Sequence, residues 1–476
     1  MSCRALRSSL LAACICVVTQ GCQAAPTQEG TLLIRSATLI DGTGGPPRAS
    51  TTILIRGDRI IAVTPDSLAG DFVAAQMIDA SGKWVIPGLA DTHFHFGLGA
   101  PIRPRSNERE ESLARELYYG VTTILQIGAT SGSSDSINSL RGRVGDGVLS
   151  APYIYGTGGH LTLQGTHPIY TIFPPDIREA ADRLAADTPL HQPVDLFSLG
   201  IGMSFVRTEE AARTAVRERA AGGMHAIKIT VESGPTPFGD DHPLMPVSMI
   251  TAIVDEAAQH GLRVLAHVTS TNELEAALRG GADAAVHATQ GLPLPDSALA
   301  DAMVASGFGM IPTLTLFAGP GDFADPFLLE SVSAEEISAL QEAPFMAQVG
   351  RRWTCCAPFD QVLETVGMLH ERGVALAVGT DTGNPYVYPG YSVHREMSLL
   401  VRAGLTPMEA IVAATRGAAE MIGVDDEFGT VTPGKRADLL ILSADPLGTI
   451  ENTRLLDAVI AQGRVVDRNA LRRGFR

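Results

Sequence analysis

Six side chains able to bind or activate a metal stand far apart in the chain, yet in similar settings. His93 and His95 lie in LADTHFHF, Lys228 in AIKITV, His267 in RVLAHV, His287 in AAVHAT and Asp381 in ALAVGTD. Imidazole nitrogens and a carboxylate form the nitrogen/oxygen donor set that Zn²⁺ and similar divalent ions prefer. Side chains alternate faces along a strand, so His93 and His95 project together while Phe94 points the other way. The same rule groups Ala226, Lys228 and Thr230 against Ile227 and Ile229, and it puts Ala377, Gly379 and Asp381 on one face. Singly, each has a plain structural explanation: a histidine at a strand end is often a satisfied core residue, and Asp381 after Gly-Thr could cap a helix. Their recurrence at five strand ends carries the functional reading. Lys228 is the most informative, because a buried ammonium beside metal cations is strongly disfavoured and needs a reason to be there.

A scaffold must bring these residues together. From about Pro87 to Gly423, short apolar strands alternate with amphipathic helical stretches such as TEEAARTAVRERAAG and VSMITAIVDEAAQHG. Eight strands with crossover helices predict an α/β fold, a (β/α)8 TIM barrel, with a doubly wound open sheet as the alternative. In a closed barrel the strand C-termini face one mouth, where the six residues would converge. On either side the pattern is β: Thr31 to Val85 reads as short strands with Gly57-Asp58 as a hairpin turn, and strands return in GTVTPGKRADLLILSADPL and DAVIAQGRVV. The expectation is a barrel over 87–428 and a small composite β-sandwich domain formed by both chain ends, residues 27–86 and 429–470.

At 476 residues, 45% hydrophobic and 18% charged, the chain can bury a large core plus a companion domain. Its net charge of −16 is of mixed sign without a Lys/Arg stripe, which argues against nucleic acid as a partner. Arg4 and Arg7 precede an apolar run from Leu10 to Val18 and small or polar residues at 21–25, the pattern of a secretory signal peptide over 1–25 that is too short to span a bilayer. Cleavage after Ala24 or Ala25 competes with cleavage before Cys22 and lipid attachment, although Thr19 stands where a lipoprotein signal usually has leucine. Export to a bacterial periplasm, to the envelope through a lipid anchor at Cys22, or into the medium follows. Cys355 and Cys356 are the cysteines outside this leader, and adjacent Cα atoms about 3.8 Å apart do not suit an ordinary disulfide.

The motifs PGLADTHFH, AIKI, LAHVTS, AAVHA, VGTDTG, HREMSLLVRAGLTPMEAIVAATRGAAEMIG and GTVTPGKRADLLIL resemble the amidohydrolase superfamily, in its branch of imidazolonepropionase-like proteins and Xaa-Pro dipeptidases. The resemblance runs from about Leu32 to Val466. It implies that Lys228 is modified to a carbamate, turning a cation into an anionic bridge between two divalent metal ions, with zinc expected. His93, His95, Asp381 and Lys228 would hold the first ion, and Lys228, His267 and His287 the second. A water bridging two cations loses its proton more readily than bulk water and becomes the attacking hydroxide. Asp381 would be the general base and pass the proton to the leaving amine. Mononuclear deaminases of this superfamily commonly have a glutamate three residues after the strand-five histidine; that position is Ser270 here, which favours hydrolysis.

His160, after strand three, is expected on the rim, either as a catalytic or substrate-binding residue that touches substrate or stabilises charge at its carbonyl oxygen, or as a residue that merely orders the loop. The loop from Leu161 to Pro175, with His167 and Tyr170, and the stretch Tyr386-Val387-Tyr388 are expected to line the pocket, with Tyr170 and Tyr388 binding substrate. His191 and His260 read as surface residues and His394 as packing or capping. The expected activity is hydrolysis of a C–N amide or peptide bond in a small molecule or short peptide, a dipeptide or N-acyl amino acid. A cyclic amide, lactone or other ester-like bond is the alternative for the same site, and a non-catalytic exported metal- or ligand-binding protein the alternative of another class. A homo-oligomer is compatible with either.

Overall fold

The computed structural model describes residues 28–96, 106–128, 133–233, 242–342 and 357–475. The leader with Cys22, and the pair Cys355 and Cys356, lie outside these residues. Among the described residues no helix is long and apolar enough to cross a membrane.

The strands run β1 (Gln28–Leu39), β2 (Arg48–Arg56), β3 (Arg59–Pro65), β4 (Phe72–Asp79), β5 (Trp84–Pro87), β6 (Leu89–Phe94), β7 (Val121–Gln126), β8 (Tyr153–Gly156) and β9 (His160–Thr162). They continue as β10 (Val194–Asp195), β11 (Met203–Phe205), β12 (Ala226–Thr230), β13 (Arg263–His267), β14 (Ala284–Val286), β15 (Gly309–Ile311), β16 (Leu439–Leu442), β17 (Leu456–Ala461) and β18 (Arg464–Val465). The β2–β3 hairpin turns on Gly57 and Asp58, with Gly57 at φ +60° and Arg56 opposite Arg59. One eight-stranded sheet, in the order β18-β17-β16-β5-β1-β2-β3 with β4 on β1, draws on both ends of the chain. Its seam is the antiparallel pair β5–β16, where Trp84 faces Leu442 and Pro87 faces Leu439. Leu32, Ile34, Val85, Leu439, Ile441 and Ile460 pack together there.

The middle of the chain is mixed α/β with two parallel sheets, β6-β7-β8 and β9-β12-β13-β14-β15, the latter extended past β9 by β11 and β10. Alternation sorts their side chains as expected. Ala90, Leu125, Ala226, Leu265, Ala284, Val286, Ile311 and Ala377 form an inner cluster. Ile227, Ile229, Val264 and Ala266 face outward onto Met249, Ile250 and Ile253 of the helix Val247–Gln259.

Two expectations need correction. The eighth strand is not a regular one: residues 375–382 form isolated bridges to Met310 and Phe94, because Asp381 takes a left-handed φ of +66° that interrupts the pleat. The segment still bonds both neighbours, with Ala377 N donating to Met310 O and Thr92 N to Val378 O. The expected loop from Leu161 to Pro175 is not simply loop either: it begins in β9 and carries a helical turn at Ile169–Ile172, and β10 and β11 follow it. These strands of two or three residues are too short for a period-two pattern to reveal.

Two buried polar residues tie the layers. Arg436 donates to Asp438 and to Thr123 Oγ1, and its guanidinium lies 4.2 Å from the Tyr153 ring centroid, joining the terminal sheet to β7 and β8. His394 packs between the Tyr119 carbonyl, which accepts from Nε2 at 2.8 Å, and the Thr453 hydroxyl at 2.9 Å from Nδ1. Burial pushes this imidazole down from 6.5 to about 3. Below pH 6.5 the unfolded chain therefore takes up a proton that the folded chain refuses, so stability is level above that pH and falls between 6.5 and 3. The share due to His394 between pH 7.5 and 5 is about 2 kcal/mol. Urea titrations at the two pH values should show a smaller acid loss in His394→Asn than in the parent; an equal loss would reject the assignment.

Candidate metal centre

Nε2 of His93 and Nε2 of His95 lie 3.1 Å apart, and both approach Asp381 Oδ1, at 3.2 and 3.1 Å. A single proton can satisfy one edge of this triangle, not three. Ligand atoms bound tetrahedrally to zinc at 2.0–2.1 Å sit about 3.3 Å from one another, close to the spacing seen. His287 completes the group: its ring centroid is 4.8 Å from that of His93 and 4.6 Å from that of His267, and its Nδ1 lies 3.9 Å from Asp381 Oδ2. Donor atoms of His93, His287 and Asp381 all fall within 4.8 Å of one another.

Lys228 sits amid this ring of donors. Its register places it opposite His160 on β9 and Leu265 on β13, two residues before Thr230 and His267 come level on the same face of the sheet. Its side chain is wholly buried and, among the described residues, Nζ has no hydrogen-bond partner. An orphaned buried amine is costly, and burial pushes it down to about 7 against the pull of Asp381.

Local backbone geometry explains how the residues reach the site. Val286 faces inward, so strict alternation would send His287 outward; a left-handed φ of +79° turns it back. Register shifts in the β6–β7 pairing after Leu89 and after Asp91 similarly break the simple parity of β6. A Cβ on Gly379 would lie 2.5 Å from Ile311 Cγ2 and 2.8 Å from His93 Cβ, so only glycine lets this segment come so close. Asp91, fully buried, accepts from the backbone N–H of His93 and of Thr380, both at 3.0 Å, and from the Thr380 hydroxyl. It lashes the segments bearing His93 and Asp381 together.

Burial, followed by the nearby Lys228 charge, pushes His93 down to about 3, and burial likewise lowers His287. Burial alone would raise Asp381, but the imidazoles of His93, His95 and His287 outweigh it and hold the carboxyl well below its usual range. Neutral imidazoles beside an ionised carboxylate are the protonation states that metal ligands require.

The other expected site residues divide. His160 is not on the rim: it opens β9, is buried, and its ring centroid is 6.0 Å from that of His95. Its Nε2 donates to the Ile127 carbonyl at 3.3 Å, leaving Nδ1 buried and without a partner among the described residues. With Nε2 bonded to Ile127, Nδ1 of the neutral ring can only accept; donating to a charged carbonyl oxygen would need a protonated ring, which burial opposes. Tyr170 is turned away, its hydroxyl committed to Asp182. Tyr388 packs in an aromatic cluster with Tyr119, Phe327 and Tyr391. Among the described residues no hydrogen bond or ring contact joins Tyr170 or Tyr388 to the histidines. Ser270 caps the helix Thr271–Arg279 in a capping box with Glu273.

Glu232 is the residue that sequence reasoning missed. Its Oε2 lies 2.8 Å from His267 Nε2 and 3.4 Å from His167 Nδ1. The signal is present, since Lys228, Thr230 and Glu232 share a face by alternation, but Glu232 lies two residues past the end of β12.

Residues 84–466 match the family model described as the amidohydrolase family. The chain belongs to the amidohydrolase family. This amidohydrolase is 26% identical over 446 residues to the ochratoxinase of Aspergillus niger, covering 88% of this chain and 82% of that one. It is 25% identical over 448 residues to the imidazolonepropionase of Chloroflexus aggregans, covering 87% and 92%. A Xaa-Pro dipeptidase with methionine bound in its active site shares the fold, with a TM-score of 0.69 at 24% identity over 91% of this chain and 99% of that one. As an amidohydrolase the protein is a hydrolase, and the metal dependence general to the family agrees with its clustered donors.

Proposed function

We propose that this amidohydrolase hydrolyses a C–N amide bond in a dipeptide or N-acyl amino acid, using two divalent ions, zinc foremost, and a carboxylated Lys228. The observation that carries the reading is the buried, unpartnered Nζ of Lys228 among His93, His95, His160, His267, His287 and Asp381. Neutral Nζ would add to the carbon of CO2 and lose one proton, leaving a carbamate with a single negative charge. That modification would remove the orphaned donor and bring an anion where cations are to be held. His93, His95, Asp381 and the carbamate would hold one ion, and the carbamate, His267 and His287 the other.

Bound there, such ions would acidify a water and polarise the scissile carbonyl. Asp381 would take the proton of the attacking water on its carboxylate and deliver it to the leaving nitrogen. His160, its Nε2 occupied by Ile127, would accept a hydrogen bond from substrate through Nδ1. The two parallel sheets, bridged through residues 375–382 on one side and by His225 N donating to Gly156 O on the other, would close as the eight-stranded barrel with this site at its mouth. The shared seam β5–β16 supports treating both chain ends as one companion domain. The leader supports export.

The test pairs metal analysis of the mature protein with a panel of Xaa-Pro and other dipeptides, N-acyl amino acids, cyclic amides and lactones. Two ions per chain and turnover of the first two classes, lost on chelation, are expected. One ion with unmodified Lys228 would remove the two-ion reading, and turnover confined to lactones or cyclic amides would reassign the substrate.

A further inference from the structure

We infer that Glu232 is a positioning residue that fixes His267 with its proton on Nε2 and Nδ1 turned to the pocket. The inference rests on the two-ion reading above. A carboxylate only accepts, so the 2.8 Å contact between Glu232 Oε2 and His267 Nε2 requires the proton on Nε2. Nδ1 of His267 makes no hydrogen bond among the described residues.

The arrangement differs from that of the neighbouring imidazoles. His95 donates through Nδ1 to the Gly128 carbonyl at 3.2 Å, and His287 meets the Thr313 hydroxyl through Nδ1 at 2.8 Å, so both leave Nε2 for a ligand. His267 is therefore oriented the other way round. Glu232 is 1% exposed, and among the described residues its ion pairs are with imidazoles alone, His167 and His267. The His167 ring stacks on His267 at 5.0 Å and 17°, so one element fixes the plane of the ring while Glu232 fixes its tautomer. A carboxylate on the far nitrogen also makes a ligating imidazole more basic.

Donor atoms of His167, Glu232 and His267 lie within 4.8 Å of one another, so the three could instead hold an ion themselves. The 2.8 Å edge favours the hydrogen bond, since it has the length of a charge-assisted one and is shorter than the 3.1 and 3.2 Å edges of the His93–His95–Asp381 triangle, while Oε1 of Glu232 is buried without a partner among the described residues.

Titration of the metal-stripped full chain with Zn²⁺ by calorimetry tests the assignment. Glu232→Ala should weaken one of two ions about 10- to 100-fold and leave the other unchanged, and Glu232→Gln, which keeps an acceptor oxygen, should weaken it less. A parent with two ions and an alanine variant that binds both as tightly overturns this inference alone. A third ion in the parent that the variant loses would make Glu232 a ligand and also overturn it. A parent that binds a single ion overturns the two-ion reading and this inference with it. Should the alanine variant not fold, nitrogen NMR of the parent decides: a proton on Nδ1 of His267 refutes the positioning role.

Discussion

Asp381→Asn is expected to lower kcat by about 10²- to 10⁴-fold, the usual contribution of a positioned acid–base group, with the fold intact. Asparagine has the same shape and tolerates the left-handed φ of +66° at this position. The backbone bonds that hold the segment do not involve the side chain: Asp381 N donates to the His93 carbonyl at 2.8 Å, and Asn384 Nδ2 donates to the Asp381 carbonyl at 3.0 Å. What the variant loses is the anion between two imidazoles and the capacity to take up a proton. Steady-state kinetics at saturating metal, with metal content and thermal unfolding measured on the same samples, separate a chemical defect from an empty site. Parent-like kcat in a fully loaded variant would end the proposed role.

Lys228→Met should have a larger effect, lowering kcat/KM by at least about 10³-fold, since it removes a ligand proposed to be shared by both ions. The same substitution replaces a buried amine without a partner by an apolar chain of similar volume, so the metal-free variant should unfold at higher urea than the metal-free parent. Loss of activity joined to a gain in apo stability is hard to produce by general damage. Intact-mass measurement of the parent should show the mass of one CO2 on Lys228. Two ions and parent-like turnover in the methionine variant would dismiss the carbamate.

Much of this site was legible because strands at similar depth bear recurring donor types, and alternation explains why Lys228 and Asp381 face inward. Alternation alone would have misplaced His287, whose inward direction depends on a left-handed residue, and it could not foresee the register shifts within β6. The β-rich ends of the sequence lead one to expect a shared domain, but which strands meet is not legible there: the pairing of Trp84–Pro87 with Leu439–Leu442 joins two short apolar runs about 350 residues apart. The burial of His160 is hidden in the sequence because the two glycines before it, at φ +68° and +101°, read as the start of a loop, whereas they turn the chain into β9. For Tyr170 and Tyr388 the sequence shows only their place after strands. Where a hydroxyl points is settled by partners such as Asp182, distant in sequence and not implied by any local pattern.

The β5–β16 seam has a consequence for how the molecule is made. Trp84 faces Leu442, so β5 lacks its partner on that edge until residues 439–442 have been made, and every strand bearing a candidate metal ligand is synthesised before them. Joining partners so distant along the chain is entropically expensive and slow. During biogenesis the terminal sheet is therefore the last part to mature, and truncation at the C-terminus should leave a chain with an open, adhesive strand edge rather than a smaller working enzyme.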